Sequence, residues 1–319
     1  KMVKDDLFLL MLKLISKMKN LSNITVVIVT YFTKRDILLN CLKSIDKKIK
    51  IIVVENSKRF IDEKYFLKKF SNLKILCTGS NLGYGAGNNF GLLKIKTQYA
   101  LILNPDIECD INLFKNINKL LTKQINFSIV GCQYLYDKIF MPAGFFNVKK
   151  NKIFHQNFLK KKTKSLIKVD WVTGCSMLIN LKKFKDKKIF DTSFFLFFEE
   201  FDLCKSVSSK GGFVYSSNEL LVNHLHSKGS IGSSRNLKTV AIKVRNWHWM
   251  WSLFYFYKKN YNYPYAFYKT FGKLLKSFFK SIYFIITLDN DNKNKYLYKF
   301  LGLFSAIVGK KSNFRAKHH

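Results

Sequence analysis

Between residues 24 and 103 the chain alternates unbroken apolar runs with amphipathic stretches. Ile24-Thr25-Val26-Val27-Ile28-Val29-Thr30 is a continuous β-branched run, the pattern of a strand buried on both faces. Residues 35–47 place Ile37, Leu38, Cys41, Leu42 and Ile45 on one helical face. Lys50 to Val54 reads as a second buried strand ending at Glu55-Asn56-Ser57, and residues 60–70 read as a second helix. Leu73 to Cys77 is a third strand, followed by a glycine-rich turn, and Gln98 to Leu103 is a fourth, ending at Asn104-Pro105-Asp106. This alternation predicts an α/β fold, a mostly parallel central sheet flanked by helices and joined by right-handed crossovers. Such sheets bind ligands beyond the carboxyl ends of their strands. Glu55, the glycine-rich turn and Asp106 all follow strands, so they fall on that edge.

Residues 136–170 are polar and lysine-rich and give no clear period. Order returns at Val169 to Ile179, and again at Phe194 to Cys204, which runs into a helix stopped by Gly211-Gly212. Short strands are expected at 213–215 and 220–224. From about residue 236 the character changes. Residues 246–257 carry no charge and are dense in aromatics. Farther on, Lys269, Lys273, Lys276 and Lys280 fall within a helical stripe of about 60°, opposite Phe267, Phe271, Leu274, Leu275, Phe278 and Ile282. A basic face opposite an aromatic one is the pattern of a helix lying in a membrane surface. The plain alternative is a helix packed on the main domain with its lysines in water.

Composition narrows the class. Of 319 residues, 48% are hydrophobic and 24% charged, which excludes a disordered chain, and 15 Gly with 3 Pro exclude collagen-like sequence. No uncharged apolar run reaches the roughly 18–20 residues that span a bilayer. Lys plus Arg total 56 against 20 acids, a net charge of +36, so an anionic partner is expected: phospholipid, phosphorylated substrate or nucleic acid. Nucleic acid is set aside, because the chain has no zinc finger, RNA-binding sheet signature or basic zipper. Six cysteines without CxxC spacing, several inside apolar runs, read as reduced thiols of a cytosolic protein. Leu7 to Leu12 is preceded by Asp5 and Asp6 and interrupted by Lys13, so it does not read as a secretion signal.

Several segments carry chemistry. Asn81-Leu82-Gly83-Tyr84-Gly85-Ala86-Gly87-Asn88 departs from the dinucleotide fingerprint GxGxxG and follows the third strand rather than the first. Its glycines still mean tight turning or close backbone approach, against a nucleotide or within a plain helix-leading loop. Asp106 can hold a divalent cation that neutralises a diphosphate, although Asn-Pro-Asp is also an ordinary turn. Glu199, Glu200 and Asp202 cluster after an apolar segment, where a carboxyl can acquire the raised pKa of a general base, or can simply complement a helix N-terminus. His224 and His226 share a face if the segment is a strand, which suits a metal or phosphate contact and also an ordinary surface.

Taken in order, these segments resemble the inverting family 2 glycosyltransferases of the GT-A fold, especially the bacterial rhamnosyltransferase-like branch. The segments are Val26 to Tyr31, Val53 to Ser57, Asn81 to Gly91, Leu103 to Asp106, Val169 to Gly174, Phe198 to Leu203 and His226 to Ser230. The resemblance covers about residues 22–235. It implies transfer of a sugar, rhamnose or another hexose, from a nucleoside-diphosphate donor to a hydroxyl of a bacterial cell-surface glycan or lipid-linked oligosaccharide. By that likeness Thr30, Tyr31, Glu55, Asn81, Gly83, Gly85 and Asn88 would bind the nucleotide. Asp106 and His226 would hold Mg²⁺ or Mn²⁺, and Asn104, Trp171, Thr173 and Gly174 would meet donor or acceptor sugar. Glu200 would be the base, with Glu199 and Asp202 as rivals. The family usually has Asp where Glu55 and Glu200 stand, and the spacing of the late histidine motif leaves His224 as a rival to His226. The expected organisation is an extension (1–21), a GT-A domain (22–235) and a membrane-apposed helical segment (236–319). That segment would meet anionic lipid through residues 245–289, placing the protein at the inner face of the cell membrane. The competing reading is a non-catalytic glycan- or lipid-binding module on the same fold.

Overall fold

Ile24–Thr30 (β1) is buried at all of its residues, as its β-branched run requires, and it lies at the centre of the parallel half of the sheet. Lys50–Glu55 (β2), Leu73–Cys77 (β3) and Tyr99–Leu103 (β4) complete that half in the order β4-β1-β2-β3, all parallel. The computed structural model describes residues 21–136, 139–141, 143–147, 152–153, 165–225 and 235–315.

The sheet continues past β4 as a mixed half. Ile107–Cys109 (β5), Ile129–Tyr136 (β6), Leu166–Lys168 (β7), Ser176–Asn180 (β8) and Val214–His224 (β9) extend it in the order β7-β9-β6-β8-β4. β8 runs antiparallel to both β4 and β6, and β9 runs parallel to β6. The two short strands expected at 213–215 and 220–224 are one strand, β9, whose register shifts between Ser217 and Leu221. Its polar middle, Ser216-Ser217-Asn218-Glu219, hides the continuity because period-2 hydrophobicity is lost there. Past the shift, β9 pairs with β5, so that His224 lies opposite Ile107 and next to Asp106.

Helices cover both faces. Arg35–Lys43 (α1), Glu63–Lys69 (α2) and Leu113–Thr122 (α4) contribute Leu38, Leu42, Phe66, Phe114 and Ile117 to one apolar layer. Tyr84–Leu92 (α3) and Glu199–Ser209 (α5) cover the other face with Leu92, Leu203, Cys204 and Val207. α3 lies so close to β1 that a Cβ at Gly91 would sit 2.7 Å from Val27 Cγ1. Part of the glycine pattern is therefore a packing requirement of helix on sheet.

Three long helices follow: Arg235–Asn260 (α6), Tyr263–Ile286 (α7) and Asn290–Ile307 (α8). Trp247, Met250, Trp251, Phe254, Leu303 and Ala306 form a third core with Phe194 and Phe198, the residues leading into α5. α7 packs in an unusual sense. Its inward residues are Ala266, Thr270, Ser277 and Ser281, while Phe267, Phe271, Leu275, Phe278 and Ile282 remain 37–43% exposed. Among the described residues no helix is long and apolar enough to cross a membrane.

Candidate active site

Four strand ends build the floor of the site. Thr30 and Glu55 are paired in the β1–β2 register, and the Thr30 hydroxyl donates to Glu55 Oε2 at 2.7 Å. The Phe32 amide approaches Glu55 Oε1 at 3.4 Å, which wraps the loop after β1, with Tyr31, around a buried carboxylate. Phe32 itself has φ 50°, a left-handed turn that reverses the chain at this edge.

Asn56, next in the chain, organises the glycine-rich segment. Its Nδ2 donates to Asn81 Oδ1 at 3.1 Å and to the Gly83 carbonyl at 2.9 Å, and its Oδ1 accepts from the Leu82 amide at 3.0 Å and the Thr78 hydroxyl at 3.1 Å. Asn81 Oδ1 also accepts from the Gly83 amide at 3.0 Å. Gly83 has φ 89°, and a Cβ there would sit 2.3 Å from the Phe195 carbonyl oxygen, so only glycine fits. α3 starts at Tyr84, whose amide donates to that same carbonyl at 3.0 Å. A Cβ at Gly85 would sit 3.5 Å from Glu199 Cβ. Asn88 is buried; its Nδ2 donates to the Tyr84 carbonyl at 3.0 Å, one turn back along the helix, and its Oδ1 has no hydrogen-bond partner among the described residues.

The loop between Trp171 and Ser176 ties the pieces together. The Asn104 amide donates to the Cys175 carbonyl at 2.9 Å, while the Tyr84 hydroxyl donates to the Gly174 carbonyl. Gly174 lies 3.5 Å from Glu200 Cβ, counted from the Cβ position it lacks. Thr173 bonds Cys175 Sγ at 3.3 Å. Asn104 and the Asp106 turn therefore share one edge with α5.

α5 presents its acids after a strained approach: Phe197 and Phe198 both have positive φ, 70° and 69°, rare for bulky side chains. Burial pushes the Glu200 carboxyl up to about 7. Glu199 is buried more deeply, and its Oε2 has no hydrogen-bond partner among the described residues. Burial raises its pKa well above the usual range, and the charge of Glu200 adds to the rise. The two neighbouring acids thus have different characters, Glu199 held protonated and Glu200 poised to exchange a proton near neutrality.

Two expectations are corrected. Asp202 is not a third acid of the site: it bonds Lys259 Nζ at 2.7 Å and Asn260 Nδ2 at 3.0 Å, clamping α5 to α6. An aspartate two residues beyond Glu200 on a helix projects to a different side. Trp171 offers no face to a sugar, because it is 1% exposed and its ring packs on Phe201 with centroids 5.0 Å apart.

Asp106 lies 3.4 Å from His224 Nε2, and both side chains are largely buried. A carboxylate oxygen with an imidazole nitrogen suits Mn²⁺ or Mg²⁺ when diphosphate and water fill the other positions. The pair fits part of a metal site. Among the described residues no group of three or more His, Cys, Asp or Glu could hold a metal without such help. His226, expected as the ligand, lies outside the described residues. Sequence reading overlooked Tyr84 as a tie between segments, Asn56 as the hub, and Phe195, whose signal was only one phenylalanine in a run of them.

Residues 25–186, just over half of the chain, match the model of the family described as glycosyl transferase family 2. The chain is similar to the low-salt glycan biosynthesis hexosyltransferase Agl10 of Haloferax volcanii. The two are 27% identical over 194 residues, 58% of this chain and 61% of that protein. It is also similar to rhamnosyltransferase WbbL of Escherichia coli K12, 27% identical over 196 residues, 54% of this chain and 72% of that protein. The match thus spans less than two thirds of the first relative's length. Among solved structures it is similar to GalNAc-T7, determined with UDP, GalNAc and Mn²⁺. That match has 17% identity and a TM-score of 0.51, and covers 73% of this chain and 50% of the other. It is likewise similar to the mannosyltransferase PcManGT from Pyrobaculum calidifontis, determined with GDP-Man and Mn²⁺. Here the identity is 11% and the TM-score 0.50, with coverage of 89% and 86%. At these identities the structures speak for the fold, which is GT-A. Strand order, the acids at the sheet edge and the span of the family match agree, and the chain belongs to glycosyltransferase family 2.

Proposed function

We propose that the chain is an inverting glycosyltransferase that moves a hexose from a nucleoside-diphosphate donor to a hydroxyl of a cell-surface glycan or lipid-linked oligosaccharide. The observation that carries this reading is Glu200: a carboxyl raised to about 7, at the start of α5, against the Gly174 loop that also holds the Asp106 turn. A base of that pKa matches the task of taking a proton from an attacking hydroxyl at neutral pH. Such a carboxyl at the sheet edge supports a catalytic role over a purely binding one.

The Thr30–Tyr31 loop and Glu55 would seat the nucleotide base, with Asn81 and the Gly83 turn beside it. Asp106 and His224 would hold the divalent cation, Mn²⁺ or Mg²⁺, with His226 as a further candidate. When bound, the cation supplies charge neutralisation for the departing diphosphate. Thr173, Gly174 and Asn104 would line the sugar side. The relatives named as a hexosyltransferase and a rhamnosyltransferase support a hexose, and rhamnose is one candidate.

The acceptor's setting is read from α7. Its exposed aromatic face beside Lys269, Lys273, Lys276 and Lys280 suits an anionic membrane surface on the cytoplasmic side, with lipid-linked acceptor within reach.

The test is a panel of sugar nucleotides (dTDP-rhamnose, UDP-hexoses, UDP-N-acetylhexosamines, GDP-mannose) against the full chain, with and without Mn²⁺. One donor should bind in a metal-dependent way and lose that dependence in Asp106→Ala. Absence of any metal-dependent donor in the panel would move the binding-module reading ahead.

A further inference from the structure

We propose that Arg315, carried back from beyond α8, is a phosphate-binding residue of the donor site. This rests on the nucleotide-sugar reading above and names a residue that none of the site segments contains.

The segment after α8 is pinned to α6. Trp251 Nε1 donates to the Lys310 carbonyl at 2.8 Å, and the two nitrogens of buried His248 bond Ser312 Oγ at 3.0 Å and the Phe314 carbonyl at 2.9 Å. Phe314 stacks on Trp247 with centroids 5.6 Å apart. The result is a fixed delivery of the next residue.

Arg315 Cζ lies 3.3 Å from the centre of the Phe195 ring. Phe195 is the residue whose carbonyl receives the Tyr84 amide and whose ring edge would touch a Cβ at Gly83. Arg315 also lies within electrostatic range of the Tyr31 hydroxyl, in the loop after β1. The guanidinium is therefore near both loops that would meet the nucleotide. Its Nη1 donates to the Ser312 and Phe314 carbonyls at 3.0 and 2.9 Å, leaving Nε and Nη2 without a hydrogen bond among the described residues. No carboxylate among those residues pairs with it. Burial lowers its pKa to about 10, so it stays charged at neutral pH. A stacked guanidinium with no carboxylate partner among the described residues, and two adjacent donors to spare, matches a phosphate group.

The experiment measures binding of UDP, GDP and dTDP, and of the matching nucleosides, to the full chain with Mn²⁺. Wild type is compared with Arg315→Gln and Arg315→Lys, each checked for an unchanged melting curve. Arg315→Gln should weaken the preferred diphosphate on the order of tenfold to a hundredfold and leave its nucleoside unchanged. Arg315→Lys should recover part of the loss, since it keeps the charge and loses the fork. Equal diphosphate affinity in wild type and Arg315→Gln overturns the assignment while leaving the transferase reading intact. Failure of wild type to bind any diphosphate overturns both.

Discussion

The ammonium of Lys259 lies 2.7 Å from Asp202 Oδ2 and 2.7 Å from Asp191 Oδ2, joining α6 to both ends of the segment that presents the candidate base. Asp202 is nearly buried, and Lys259 is about a third exposed. Lys259→Ala should therefore cost about 1–3 kcal/mol, because a buried carboxylate loses its partner while solvent softens the loss. The check is thermal unfolding together with turnover. A variant with wild-type melting would mean that the pair is no clamp.

Glu200→Gln should abolish transfer and still raise the melting temperature. The folded carboxyl titrates near 7, above its ordinary range, so holding it ionised at neutral pH works against the folded state. Removing that charge should return about 1–3 kcal/mol, discounted for its partial exposure. In wild type, turnover should rise as pH passes through about 7, because the base must be unprotonated. A flat profile between pH 6 and 8 would argue against Glu200 as base.

Gly83→Ala is expected to damage the nucleotide turn. With φ at 89° and a Cβ 2.3 Å from the Phe195 oxygen, the backbone must move, at a cost of about 2 kcal/mol or more. Calorimetry on donor binding and on unfolding would register both effects, and unaltered values would contradict the geometry.

His248 should make the last segment acid-sensitive. Phe314's carbonyl accepts from Nε2–H, so Nδ1 must be the bare nitrogen that accepts from the Ser312 hydroxyl. Burial, with Arg315 nearby, lowers its pKa to about 4. A depressed histidine favours the docked segment fully above about pH 6.5, and that support is lost as pH falls toward 4, about 3 kcal/mol in all. Protection factors for the amides of residues 310–315, corrected for the pH dependence of intrinsic exchange, should fall from pH 6.5 downward. Protection that stays constant to pH 4.5 would rule this out.

Phe279→Asp with Ile286→Asp should release the chain from anionic vesicles, since these side chains are 63% and 74% exposed. Lys273→Glu with Lys276→Glu should weaken binding more than tenfold, at about 1 kcal/mol per lysine near the surface. Flotation assays on the full chain are the measure. Point variants are preferred because removing residues 245–319 would also strip Phe194 and Phe198 of their packing.

The parallel half of the sheet was plain in the sequence because its strands are uniformly apolar and its helices keep one period. The places of Glu55, at the end of β2, Asp106, just after β4, and Glu200, in the first turn of α5, were legible because each stands at the end of a clear element. β9 was not, because its polar middle breaks the pattern while backbone pairing persists. Trp171 misled because a single residue name carries no burial, and its neighbours Val169 and Val172 were the better guide. Asp202's partner stands 57 residues away, and Arg315's neighbour Phe195 farther still, so only the fold brings them together.

The shared core of Phe194 and Phe198 with Trp247, Phe254, Leu303 and Ala306 sets an order of events during synthesis. Chains fold from the N-terminus as they emerge. The sheet through β9 is complete while the partners of Phe194 and Phe198 are still to be made. A nascent chain would therefore carry the proposed donor floor before Phe194 and Phe198, which lead into Glu199 and Glu200, have their packing. The proposed site would then be completed last, when the lysine-rich helices dock.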